Sequence, residues 1–179
     1  MPHDSVFWDQ WVRFFVTRNP NFNSLTLDPQ NPGTYQARIS ALTGLQDVNK
    51  TDLTAFQAKG GKVLIAHGMG DALLSTRAAK QYVDRVRSTM GDARADMFLR
   101  YYEIPGYGHV ISTVFNAARD SSTTLQNWVK KGSLPPNQIV TDMVGVPSRT
   151  RPLCDYPAYP RYNGSGDVNA ASSFSCSTQ

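Results

Sequence analysis

Apolar and polar positions along this chain fall into blocks, and the clearest block is Val63-Leu64-Ile65-Ala66. It lies between Gly60-Gly61 and His67-Gly68. A short apolar run closed by turn residues on both sides predicts a strand buried on both faces. From Thr76 to Met90 the apolar positions Ala78, Ala79, Tyr82, Val83 and Val86 share one helical face, and Met90-Gly91 closes the helix. Met97–Ile104 then predicts a second strand. Strand, helix, strand in this order predicts a parallel α/β unit. Such sheets open their ligand crevices beyond the carboxyl ends of the strands.

The flanks are read in the same way. Phe7, Trp8, Trp11, Phe14 and Phe15 follow a helical stripe over residues 4–18, predicting a helix whose aromatic face needs a substantial partner surface. Asn19 to Gly33 carries Pro20, Pro29 and Pro32 and reads as loop. Tyr35–Leu42 predicts a short element of either kind. Between Leu45 and Gly60 a helix is expected, with Thr51 as its cap and Leu53 and Phe56 as its apolar face. A last helix is expected from about Val114 to Lys131, with Phe115, Ala118, Leu125 and Trp128 inward and Gly132 as its stop. Leu134-Pro135-Pro136 breaks the chain, and Gln138–Met143 predicts a final strand.

From Gly145 the composition shifts to Pro, Tyr, Gly, Ser and Asn, too few aliphatics for a core of its own. This tail holds both cysteines, Cys154 and Cys176. With so little apolar glue, a disulfide is expected rather than two free thiols. Closing that loop contributes about 3 kcal/mol by chain entropy, and it implies an oxidising compartment.

Composition narrows the classes. At 179 residues, 40% hydrophobic and 18% charged, the chain is globular, with one domain as the default. The net charge of +4 is scattered. Lys80, Arg85 and Arg87 alternate with Asp84 on one predicted helix, which reads as a solvated face and not as a nucleic-acid surface. No apolar run approaches the roughly 18 residues that span a bilayer. The first residues, MPHDSVFWDQWVRFFV, lack a basic stretch and a small-residue cleavage site, so no signal peptide is expected there. Either the mature chain is cytoplasmic, or Met1 is not the natural start.

Two residues stand where chemistry is expected. Asp71 is the first carboxylate after the first strand, and His109 follows the second strand through Pro105-Gly106-Tyr107-Gly108. A histidine near neutral pKa serves as general base and then acid, and a carboxylate on its far nitrogen holds its tautomer. In α/β-type serine hydrolases the chain order is nucleophile, acid, histidine. The acid and histidine are here in that order, but no G-x-S-x-G precedes them. Gly164-Ser165-Gly166 lies after His109, and neither cysteine sits near a strand end. Taken singly, each residue also has an ordinary reading, Asp71 as a helix cap and His109 as a surface histidine. His67 has no other His or Cys at ligand spacing and reads as structural, so no metal site is expected. Gly106-Tyr107-Gly108 lacks the rest of a phosphate loop, and no nucleotide cofactor is expected.

Several blocks in order resemble the tannase/feruloyl esterase family of α/β-hydrolases. Gly60–Asp71 is similar to its strand-and-acid segment, and Ile104–His109 to its histidine turn. Asp52-Leu53-Thr54-Ala55-Phe56 and Phe7-Trp8 also fit. The tail is the most specific part, in Arg151-Pro152-Leu153-Cys154-Asp155-Tyr156-Pro157, Tyr162–Asp167 and Phe174-Ser175-Cys176.

The resemblance implies the C-terminal part of an α/β-hydrolase sheet, its last strands and helices, followed by an irregular, disulfide-pinned tail. It implies that Asp71 and His109 are the acid and base of a Ser-His-Asp triad, that Cys154 pairs with Cys176, and that the reaction is hydrolysis of phenolic or aromatic esters. Residues 1–45 would end the lid region and return to the core, 46–144 would form the C-terminal part of the core, and 145–179 the tail. The substrate would be a small-molecule aromatic ester, with no cofactor, nucleic acid or membrane partner, and with the oligomeric state left open. Family lid domains that hold calcium would lie outside this chain. The full-length protein would be secreted or periplasmic.

Two departures stand out. Family members usually carry a cysteine directly after the histidine, bridged to one beside the nucleophile, and Val110 occupies that position. The family's serine, oxyanion hole and most of its lid precede everything seen here. The expectation is therefore a fragment without its nucleophile, inactive and poorly soluble alone because its parallel sheet ends in an open edge. The alternatives are another α/β-hydrolase, peptidase-like or dienelactone-hydrolase-like, and a non-enzymatic remnant that docks through its aromatic helix.

Overall fold

The computed structural model describes residues 3–109, 114–135 and 137–178. Contacts divide the chain into two compact units, residues 1–49 and 50–179.

The first unit is helical. α1 (His3–Gln10) runs on as one π-helical stretch, Trp11–Val16, and α2 (Gln36–Gln46) follows after two short 3₁₀ turns. Only part of the expected aromatic face is buried. Val12 and Val16 form the core with Leu27 and Leu42, and Trp8, Trp11, Phe22, Tyr35 and Ile39 pack around them. Phe7, Phe14 and Phe15 are about half exposed. The wider π turn breaks the 3.6-residue stripe, so the residues that share a face differ from those the spacing selected. Trp8 keeps its indole N–H satisfied on the Ser24 carbonyl at 3.1 Å, and Trp11 on Gln46 Oε1 at 3.1 Å.

The second unit opens with the short helix α3 (Thr54–Ala58). Thr51 does not cap it. Asp52 Oδ1 takes the Thr54 amide at 2.9 Å, while the Thr51 hydroxyl meets that of Thr89 at 3.0 Å. β1 (Val63–Gly68) and β2 (Leu99–Ile104) then pair in parallel, with Val63 opposite Leu99 and Gly68 opposite Ile104. α4 (Thr76–Met90) and the single turn α5 (Asp92–Ala95) connect them. α4 buries Val83, Val86 and Met90 against Phe98, Leu99 and Tyr101. Full burial of such side chains contributes about 1.5–3 kcal/mol each. β1, expected to be buried on both faces, is only half-buried from Val63 to His67. Among the described residues its one paired neighbour is β2.

After the histidine turn the chain departs from the expected helix. Ala117–Ala118 form the short strand β3, and α6 starts only at Ser121 and ends at Lys131. Asp120 is the true N-cap, its Oδ1 accepting the Thr123 amide at 2.9 Å. Phe115 and Ala117 belong to the second core cluster, with Tyr102, Ile104, Val140 and Leu153. β4 (Gln138–Asp142) and β5 (Thr150–Leu153) complete an antiparallel sheet of order β3-β4-β5.

Asp142 organises this sheet. Its Oδ1 accepts the amides of Asn116 at 3.1 Å and of Val144 and Gly145 at 3.0 Å. Its Oδ2 accepts the Val146 amide at 2.8 Å and Arg149 Nη2 at 2.6 Å. Burial pushes this carboxyl up, but the amide hydrogen bonds outweigh it and hold the group well below the usual carboxylate range.

The tail carries β5 and a last antiparallel pair, β6 (Tyr159–Tyr162) with β7 (Phe174–Ser177). Cys154 and Cys176 are bonded, with their Cα atoms 5.5 Å apart. The tail makes its core by borrowing: Leu153 joins the second cluster, and Tyr156 N–H donates to the Tyr101 carbonyl of β2 at 2.8 Å. Arg100 adds an ion pair to Asp155 at 3.2 Å.

Candidate active site at the ends of the two parallel strands

The parallel register sets β1 and β2 level at their carboxyl ends, so the two turns that follow start side by side. They are stitched through the backbone. Met69 N–H donates to the Ile104 carbonyl at 3.0 Å, and Gly70 N–H to the Tyr107 carbonyl at 2.9 Å. Gly68 allows this approach, because a Cβ there would meet the carbonyl oxygens of Tyr107 and Gly108. The Thr76 hydroxyl, at the first residue of α4, donates to the Gly68 carbonyl at 2.8 Å and fixes the far end of the acid turn.

The Asp71 side chain is buried, only 5% exposed, and each of its oxygens has its own partners. Oδ1 accepts the amides of Leu73 at 2.8 Å and Leu74 at 2.9 Å. These close the turn around the carboxylate, so Asp71 does not cap α4. Oδ2 lies 3.0 Å from His109 Nδ1. Burial pushes the Asp71 carboxyl up, but the Leu74 amide, His109 and the Leu73 amide together hold it at about 2. An ionised Asp71 accepts only, so Nδ1 is the protonated nitrogen of His109 and Nε2 is the basic one. The His109 ring is 39% exposed, which leaves room for a reactant to approach it.

A second histidine faces the same carboxylate. His67 Nε2 lies 3.1 Å from the Leu74 carbonyl and 3.2 Å from Asp71 Oδ2. Both are acceptors, so Nε2 carries the proton and shares it between the two ends of the acid turn. In the sequence His67 is expected to be structural and not a metal ligand, and its carboxylate neighbour is not foreseen. The signal for that neighbour was the spacing of His67, four residues from Asp71 across a turn that doubles back. Ser165 lies exposed in the β6–β7 connection, and Ser75 is exposed at the N-cap of α4. Val110 and Ser112 lie outside the described residues.

A buried carboxylate orienting a half-exposed imidazole, each beyond a parallel strand, is the acid–base arrangement of α/β-hydrolases. The chain belongs to the tannase and feruloyl esterase family, whose model matches residues 2–177. That match takes in the disulfide-bonded tail and sets aside the peptidase-like and dienelactone-hydrolase-like alternatives. An uncharacterized esterase of Agrobacterium fabrum is 33% identical over 97% of this chain and 32% of its own length. The mono(2-hydroxyethyl) terephthalate hydrolase of Piscinibacter sakaiensis is 39% identical over 70% of this chain and 21% of its own. The crystal structure of feruloyl esterase B from Aspergillus oryzae superposes with a TM-score of 0.81 at 27% identity, covering 94% of this chain and 36% of that one. The chain thus spans about a third or less of the length of these relatives.

Proposed function

We propose that this chain supplies the acid and the base of a serine carboxylic ester hydrolase acting on phenolic or aromatic esters, and that the nucleophilic serine comes from sequence outside these 179 residues. The observation that carries the reading is the 3.0 Å contact between His109 Nδ1 and Asp71 Oδ2. With Nδ1–H committed to Asp71, His109 Nε2 takes the serine proton as the hydroxyl attacks the ester carbonyl. It then protonates the departing alcohol. In the second half, His109 takes a proton from water, the resulting hydroxide attacks the acyl-enzyme, and the acid leaves as the serine is reprotonated. Asp71 stays ionised and stabilises the imidazolium at each stage. Relatives named as feruloyl esterase and as a terephthalate monoester hydrolase favour an aromatic acyl group.

On this reading residues 1–45 are the end of a lid region, 46–144 belong to the hydrolase core and 145–179 to its tail. No cofactor takes part, and calcium belongs to a lid domain elsewhere in the full-length protein. The half-buried β1 fits a sheet that continues on its open side. The Cys154–Cys176 bond fits a secreted or periplasmic full-length protein. Among the described residues no helix is long and apolar enough to cross a membrane.

The test begins with the coding sequence upstream of Met1, which should hold an in-frame G-x-S-x-G. The longer product should hydrolyse methyl gallate or methyl ferulate, and His109→Ala should lower kcat by about four orders of magnitude or more. An absent upstream serine, or a longer product whose turnover survives His109→Ala, overturns the proposal. A soluble longer product without turnover returns the chain to the binding-remnant reading.

A further inference from the structure

Behind the histidine turn, on the side of the tail, lies a cavity of about 310 Å³. That is at the lower end of the range for small-molecule sites. The described residues that line it do not include Asp71 or His109. Most of the wall is apolar, with Phe115 and Val140 on one part and Leu153 and Phe174 on another. The charged exceptions are Arg149 and Arg151, which reach it from the two ends of one short stretch of backbone.

These arginines are placed unusually for structural ones. The Arg149 guanidinium sits 5.1 Å from the Phe115 ring centre, and that of Arg151 sits 4.2 Å from the ring centre of Phe174. Two cations therefore stack on the aromatic walls of one apolar cavity. Asp142 pairs with Arg149 Nη2 at 2.6 Å and neutralises one of them. The Nε–H of Arg149 is buried with no acceptor among the described residues. Arg151 donates from Nη1 to its neighbour's carbonyl, Thr150, at 2.7 Å, and Asp167 offers it only longer-range compensation. Burial and the nearby Arg149 both lower the basicity of Arg151. A buried donor without an acceptor and a poorly compensated cation are each costly. An anion in the cavity would compensate Arg151.

We propose that this cavity is a binding site for a small aromatic monocarboxylate. Its ring packs between Phe115 and Phe174, and its carboxylate takes the Arg151 guanidinium, with Arg149 beside it in the wall. Planar carboxylate against guanidinium supplies the specificity. The apolar wall supplies much of the affinity. The site is separate from the acid–base pair and does not rest on the ester-hydrolase reading.

Saturation-transfer NMR on the micromolar chain tests this with benzoate and its neutral isostere benzamide as probes. Benzoate should bind, and benzamide should bind about tenfold more weakly or worse. Arg151→Gln should weaken benzoate by a similar factor, Arg151→Lys, which keeps the charge but not the planar fork, should recover only part of the binding, and His109→Ala should leave it unchanged. Near-ultraviolet circular dichroism checks that each variant is folded. If Arg151→Gln fails to fold, the benzoate–benzamide comparison and Arg151→Lys still decide the question. No binding of benzoate, equal binding of the two probes, or loss of binding in His109→Ala each overturns the proposal.

Discussion

Replacing Gly68 by alanine should disrupt the candidate site without altering either of its side chains. Gly68 ends β1, and a Cβ there lands on the backbone of the histidine turn, against the Tyr107 carbonyl oxygen and 2.5 Å from that of Gly108. Carbon–oxygen contacts settle at about 3.3 Å or more, so the tighter contact, at the Tyr107 oxygen, makes the turn retreat by about 1 Å. His109 rides on that turn, with Nδ1 now 3.0 Å from Asp71 Oδ2. A displacement of that size lengthens the pair to as much as about 4 Å, beyond hydrogen-bond reach. The neighbouring bond from Gly70 N–H to the Tyr107 carbonyl stretches with it. Overpacking of this kind costs about 1–3 kcal/mol, and each kcal/mol lowers Tm by about 2–4 °C in a domain of this size. The assay is a thermal melt followed by circular dichroism, together with the low-field proton resonance of the His109 Nδ1–H. Gly68→Ala should melt earlier and lose that resonance. A variant that melts with the wild type and keeps the resonance refutes the close-approach argument.

Other expectations follow from the same contacts. His67→Phe removes the donor shared by Leu74 O and Asp71 Oδ2, so hydrogen exchange at the Leu73 and Leu74 amides should quicken by about tenfold. Unchanged exchange there would leave His67 without a role in the acid turn. Reducing the Cys154–Cys176 bond reopens a loop of 22 positions and should cost about 3 kcal/mol in urea unfolding. Equal midpoints with and without reductant would show that the tail is held by its other contacts alone. Asp71 is held at about 2, below the value of about 4 of an ordinary carboxyl, so its stabilising contribution is full above about pH 4 and is lost as pH falls through about 2. The Tm difference between wild type and Asp71→Asn should shrink over that window, and a constant difference would contradict the hydrogen bonding described for the carboxylate.

The sequence marked β1, α4 and β2 well because each has a clean period and clear stops. Asp71 and His109 were legible for the same reason: each follows a short apolar strand through a glycine-rich turn. What stayed hidden depends on partners far along the chain. Phe115 to Ala118 has helical composition. However, its backbone is claimed by β4, with Asn116 N–H on Asp142 Oδ1 and Met143 N–H on the Asn116 carbonyl at 3.0 Å. Asp142 itself gave no sign of being the carboxylate that gathers four amides and an arginine. Nor did the spacing at the first helix foresee a π turn that buries Val12 and Val16 and leaves Phe14 and Phe15 half exposed. His67 shows the same limit within the site, since its bond to Asp71 depends on a turn whose path only the fold sets.

The most direct test of the proposed division, acid and base here and nucleophile elsewhere, is ester hydrolysis by the purified 179-residue chain. p-Nitrophenyl acetate and methyl gallate are the substrates, and His109→Ala is the control. Wild type, variant and buffer blank should release product at the same rate. Turnover by the wild type that disappears in His109→Ala would mean that a nucleophile lies within these residues. Ser75 and Ser112 would be the first to replace, and the account of an incomplete triad would be wrong.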